Sequence, residues 1–298
     1  MRHLNCRLFV AAIAVMLAMS SCEKAINSED EYTDEDGPQT ITLRVNDFRV
    51  EPFETRAGAA LTDYCNHIEF AVYNTDGTLV QRIHQTTSTS GYGQASIELV
   101  SGTYNLAVIA YSTPQKSESL WPTLANVNKV TFTDQTGYSD TFCYYGQLTV
   151  GKQAATHDIE LKRASSAVFF TINAALPSDV THFRVTLNGA SRTLDVTTGY
   201  GVQTDGNTQS FSWEVDGMTP PITLKHFTFL PTDDATVDIT VNATDKNGNI
   251  VSTRSFANVP MKHQMKTVYE GDFFDQPTAQ GITISADTEI ETYQTFQY

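Results

Sequence analysis

The apolar residues of this chain recur at every second position, not at helical spacing. Ile41, Leu43 and Val45 alternate with Thr42 and Arg44, and Ile68, Phe70 and Val72 do the same within residues 67–73. A period of two sends successive side chains to opposite faces of a strand, so each run reads as a strand with one buried face. Residues 79–83, 94–100 and 103–111 continue the series, the last almost wholly apolar as suits a central strand. Further strands are expected at 130–132, 142–150 and 159–161. A second start at Ala167 leads to others at 168–172, 183–187, 194–196, 211–215, 224–230, 237–243, 250–256, 265–273 and 282–290. Asp76-Gly77, Asn188-Gly189 and Asn247-Gly248 fall between such runs, where glycine accepts the positive φ of a tight turn. No segment carries a long amphipathic helix pattern, and residues 114–124 admit at most a short helical turn. The expected class is all-β.

The start of the chain carries an export address. Arg2 and Arg7 are followed by 12 apolar residues from Leu8 to Met19 and then by Ser20, Ser21 and Cys22. A membrane-spanning helix needs about 20 apolar residues, so the run suits the apolar part of a signal peptide instead. Small residues running into a cysteine form the pattern of a bacterial lipoprotein signal, in which Cys22 takes a diacylglycerol and becomes the first mature residue. Loss of residues 1–21 removes two arginines and no acidic residue, so the formal charge moves from −15 to −17. Glu23, Glu29, Asp30, Glu31, Asp34, Glu35 and Asp36 crowd the segment that follows, which predicts a solvated tether over residues 22–39. Such acidity opposes a nucleic-acid partner, which needs a basic surface.

Two groups of strands repeat at a fixed offset. The runs beginning at His67 and His182 lie 115 residues apart, and those at 94–100 and 209–215 share that spacing. The repeat predicts a duplicated β-sandwich with a boundary near Arg163 and Ala164, giving domains over residues 40–163 and 164–298. Cys65 and Cys143 remain after Cys6 is discarded and Cys22 is lipidated. An exported chain permits a disulfide between them, and their apolar neighbourhoods would suit buried free thiols equally well.

Chemistry-bearing motifs are missing. There is no His-Glu-x-x-His, no Gly-x-Ser-x-Gly and no phosphate-cradling glycine loop, and the histidines share no metal-ligand spacing. Asp245, Asn247 and Asn249 around Gly248 read as a hairpin turn, because the remainder of a calcium loop is absent. No catalytic residue, metal or cofactor is therefore assigned, and a non-enzymatic role is expected. Tyrosines at 64, 73, 92, 104, 111, 138, 144 and 145 suit contact with glycan or host protein but define no located site.

The chain resembles the FimB-like fimbrial anchor family of Bacteroidetes type V pili. The likeness is carried by the lipoprotein cysteine with its acidic tether and by Ile68-Glu69-Phe70-Ala71-Val72-Tyr73-Asn74-Thr75-Asp76-Gly77. Gly102-Thr103-Tyr104-Asn105-Leu106-Ala107-Val108, Asp140-Thr141-Phe142-Cys143-Tyr144-Tyr145 and the junction from Leu161 to Phe170 add to it. The resemblance implies two tandem transthyretin-like Greek-key β-sandwich domains, no enzymatic activity, and a place on the outer membrane at the base of a fimbrium.

It also implies how the chain would act. A fimbrial stalk subunit would be the partner, joined by β-strand addition. Residues 41–50 would be a retained first strand, and residues 281–298 a donor strand with Ile282, Ile284, Ile290, Phe296 and Tyr298 as anchors. The tail reads equally as a packed last strand. Arg56, followed by Ala57, stands where a stalk or tip precursor would be cut, so the alternative is a pilin matured by cleavage there. A surface lipoprotein binding glycans or host proteins is the third reading.

Overall fold

The computed structural model describes residues 37–49, 60–203, 208–274, 282–283 and 292–297. Cys22, Arg56, Ala57, Ile284, Ile290 and Tyr298 lie outside the described residues. The chain divides into the unit Met1–Gly37 and a compact unit, Pro38–Tyr298.

The compact unit is all-β. Its first strands are β1 (Gln39–Arg49), β2 (His67–Asn74), β3 (Leu79–Thr86), β4 (Gln94–Leu99), β5 (Gly102–Tyr111), β6 (Val130–Thr131), β7 (Phe142–Val150) and β8 (Ala155–Arg163). All but β6 join one sheet in the order β3-β2-β5-β7-β8-β1-β4. β7 and β8 pair only through Phe142 with Arg163 and Cys143 with Lys162. The sheet folds over at that seam, and both halves line a single core. Ile41, Leu43, Ile97 and Ile159 come from one side of it, and Phe70, Leu106 and Leu148 from the other.

The later strands are β9 (Ser166–Ile172), β10 (His182–Asn188), β11 (Thr193–Asp195), β12 (Tyr200–Gly201), β13 (Thr208–Glu214), β14 (Ile222–Thr228), β15 (Asp234–Thr244), β16 (Ile250–Lys262), β17 (Lys266–Gly271), β18 (Ile282–Thr283) and β19 (Thr292–Gln297). Apart from β11 and β12, they form one sheet in the order β13-β10-β15-β16 and another in the order β14-β9-β17-β19-β18. Val168, Phe170, Phe183, Val185, Ile239 and Tyr269 fill a second core between them.

The two sets share a pairing scheme. β1 lies between antiparallel β4 and parallel β8, just as β9 lies between antiparallel β14 and parallel β17. β2 lies between β3 and β5 as β10 lies between β13 and β15. The 115-residue offset matches β2 with β10, but its second half misassigns a strand. Residues 209–215 belong to β13, which occupies the place of β3, whereas residues 94–100 belong to β4, which pairs with β1. Short alternating runs resemble one another wherever they pair, so spacing alone does not identify partners.

Two other differences depend on partners distant in the chain. β2 is buried on both faces, because the crossing segment lays Leu124, Val130 and Phe132 over the face opposite the first core. These combine with Ala71, Tyr73, Leu194 and Phe229 in a third core that draws on both strand sets, where β6 pairs with β11 and β11 with β12. β16 runs past its expected end at 256 because a bulge re-registers it. Asn258 takes φ 54, its N–H donates to Asp238 Oδ1 at 2.8 Å, and pairing resumes through Val259, Pro260 and Met261. The expected helical turn is a single 3-10 turn at Glu118–Leu120.

The disulfide that the sequence permits is not formed. Cys65 and Cys143 are both free and buried, Cys65 in the first core and Cys143 in the third. Burial raises both thiols, that of Cys143 to about 12.

Candidate functional site

Strand edges are where this fold offers backbone groups to another chain, and two strands govern them. β1 is internal, with Ile41 and Leu43 almost fully buried in the first core. Its antiparallel ladder with β4 pairs Ile41 with Ile97, and its parallel ladder with β8 pairs Val45 with Ile159. Alternation dictates this placement, because Ile41, Leu43 and Val45 share one face and a one-residue slip would turn all three outward. Without β1, the facing edges of β4 and β8 would be left bare.

The C-terminal segment has an edge position. β19 pairs in parallel with β17, matching Val268 with Thr295 and Tyr269 with Phe296, and β18 pairs back on β19 through Ile282 and Phe296. Two of the five residues singled out as donor anchors, Ile282 and Phe296, are thereby brought opposite each other. The tail is a strand of its own sheet in this conformation. β17 accepts it on the edge turned away from β9, so the backbone geometry for parallel strand addition exists within the chain.

Buried polar groups surround the first sheet. Glu69 is fully buried on β2, where Oε1 accepts the Leu124 N–H at 3.0 Å and pairs with Arg82. Burial raises its carboxyl to about 6, against the opposing pull of that N–H and of Arg82. His67 Nδ1 lies 3.1 Å from His84 Nε2, Trp121 stacks on His84 at 4.4 Å, and desolvation lowers His67 to about 4. Sequence alternation assigned Glu69 to an open face, so its burial had no local signal. The Asp245 loop is a turn: Oδ1 accepts the N–H groups of Asn247 and Asn249, both at 2.8 Å. Among the described residues no group of three or more His, Cys, Asp or Glu is placed to hold a metal ion, and no helix is long and apolar enough to cross a membrane.

These features define an all-β protein with two similarly wired strand sets and its own C-terminal strand added in parallel at an edge. Residues 33–297 match the model of a family of unknown function (DUF6562), and the chain belongs to that family. No curated protein matches it. Similar solved structures include a candidate adhesin from Bacteroides ovatus, at 10% identity and TM-score 0.48, covering 75% of this chain and 84% of that one. A candidate polysaccharide-binding protein from Bacteroides thetaiotaomicron shares 14% identity at TM-score 0.46, covering 74% and 80%. The fimbrial anchor protein Mfa2 from Porphyromonas gingivalis shares 10% at TM-score 0.41, covering 74% and 83%.

Proposed function

We propose that this chain is a non-enzymatic surface lipoprotein of the outer membrane, held by lipid on Cys22, that serves as a fimbrial anchor or assembly subunit. In this reading the two strand sets are tandem transthyretin-like sandwiches meeting at Arg163 and Ala164. Its partner is a stalk subunit, joined by a donor strand drawn from residues 281–298. The supporting observation is the parallel ladder of β19 on β17: the tail already pairs as a strand, and the same backbone groups would bond an equivalent edge in another subunit. The internal β1 favours a retained first strand, since it sits between two neighbours and contributes Ile41 and Leu43 to the core.

The test is deletion of residues 287–298 in the native cell. The expected result is a folded, membrane-bound protein that no longer retains fimbriae at the surface; a normal yield of attached fimbriae rejects the donor role. The second reading, a stalk or tip pilin cut after Arg56, draws on the same position of β1, because its removal would open a groove between β4 and β8. Peptide mapping of the native amino terminus separates the two: lipidated Cys22 marks the anchor, and Ala57 marks the pilin.

A further inference from the structure

A cleft of about 550 Å³ opens where the β7–β8 seam faces the loops of the second strand set. Tyr145, Glu160 and Lys162 line it from β7 and β8, and Tyr200, Asp233 and His263 line it from the opposite side. Its volume is that of a small-molecule site. None of these side chains is used by the strand edges, so the cleft stands apart from the strand-addition reading.

The lining has a distinct chemistry. Tyr145 is 37% exposed although it is a large aromatic. Tyr200 stacks on His263 with ring centroids 4.4 Å apart, and its hydroxyl donates to Asp233 at 2.6 Å. The backbone N–H of His263 donates to the Asp233 carbonyl at 2.7 Å, which holds ring, carboxylate and imidazole as one assembly. His263 Nδ1 is buried and makes no hydrogen bond in the protein. Desolvation lowers the pKa of His263, so the ring is neutral near pH 7 and offers one donor and one acceptor.

We propose that this cleft binds a neutral carbohydrate. A sugar ring presents a face of C–H groups to an aromatic ring and a rim of hydroxyls that both donate and accept. The cleft supplies the complement: tyrosine faces, carboxylates that accept, a lysine that donates, and an imidazole that does either. Glu160 and Asp233 oppose an anionic ligand, and Lys162 opposes a cationic one. A peptide needs an apolar anchor pocket, whereas Val196, an apolar lining residue, is already packed into the third core.

The test applies the full-length protein, kept in a polyoxyethylene detergent that carries no sugar, to an array of immobilised neutral glycans, acidic glycans and unglycosylated peptides. Binding to at least one neutral glycan is expected. Tyr145→Ala and Asp233→Asn should each weaken it at least tenfold without moving the thermal midpoint, since both residues are exposed on the folded chain. Binding to acidic glycans or peptides alone, no binding, or neutral-glycan binding unchanged in both variants overturns the proposal. Deletion of residues 287–298 leaves glycan binding intact if the cleft is the site, which keeps its fate separate from that of the tail.

Discussion

Asp140 and Arg163 form a two-pronged ion pair at the seam between the strand sets, with Nε to Oδ1 and the second guanidinium nitrogen to Oδ2 both at 2.8 Å. The Arg163 side chain is 1% exposed and that of Asp140 13%. Ser165 Oγ donates to Asp140 Oδ1 at 2.8 Å, Gln264 Nε2 donates to the Arg163 carbonyl at 2.7 Å, and the guanidinium lies over the Phe142 ring. Removing one partner leaves a charge buried without its counterion. Asp140→Ala is expected to cost about 3–5 kcal/mol in urea unfolding, and adding Arg163→Met should restore much of the loss. An Asp140→Ala protein as stable as the parent would show that the pair contributes nothing.

His226 occupies an apolar slot. It follows Ile222 and Leu224 on the inward face of β14, is fully buried, and has no hydrogen bond at either ring nitrogen. Burial lowers its pKa to about 3. The unfolded chain therefore takes up the proton first as pH falls below about 6.5, and stability declines from there toward pH 3. His67, lowered to about 4, acts in the same direction. His226→Leu should raise the urea midpoint, and raise it more at pH 5 than at pH 7; an equal change at both values would remove the histidine as the cause.

Glu69 acts in the opposite sense. With its carboxyl raised to about 6, the folded chain binds the proton before the unfolded chain does. Its contribution is complete below about pH 4.5 and is lost as pH rises through 6. Glu69→Gln keeps an acceptor for the Leu124 N–H while removing the charge. Stability above pH 7 should rise by about 2 kcal/mol, with little change at pH 4.5. A loss at pH 8 would mean that the Arg82 pairing outweighs burial.

The two core thiols give a direct check on burial. In a chain beginning at Pro38, Cys65 and Cys143 are the only cysteines. Neither should react with Ellman's reagent at pH 8 in the folded state, and both should react in guanidinium chloride. Rapid native reaction of either thiol would contradict its buried position.

Loss of residues 287–298 should also register in β17. Its amides facing β19 lose their partners and should exchange with deuterium faster, while those bonded to β9 keep their protection. Unchanged exchange across Lys266–Gly271 would show that β19 does not protect that edge.

The strands were legible where chemistry is local. Ile41, Leu43, Val185 and Leu187 announce their faces by alternation, and Gly77 and Gly189 take φ 87 and 93 at the expected turns. What could not be read depends on partners distant in the chain. Glu69 and Tyr73 look like residues of an open or simple face until residues 124–132 are laid over them. The continuation of β16 through Pro260 needs the Asn258–Asp238 contact, and His226 looks like any polar strand residue until Leu224 and Thr228, on the same face of β14, turn inward with it. The cleft joins residues 145 and 263, which no motif connects.

The central position of β1 also sets how the fold resists force. Ahead of Gln39 lies the segment expected to lead to the membrane, so a pull directed along that segment loads β1 lengthwise. Its ladders to β4 and β8 then bear the tension together in shear, whereas a strand peeled sideways from an edge would release its hydrogen bonds one after another. Sliding β1 free along its length would therefore break both ladders at once.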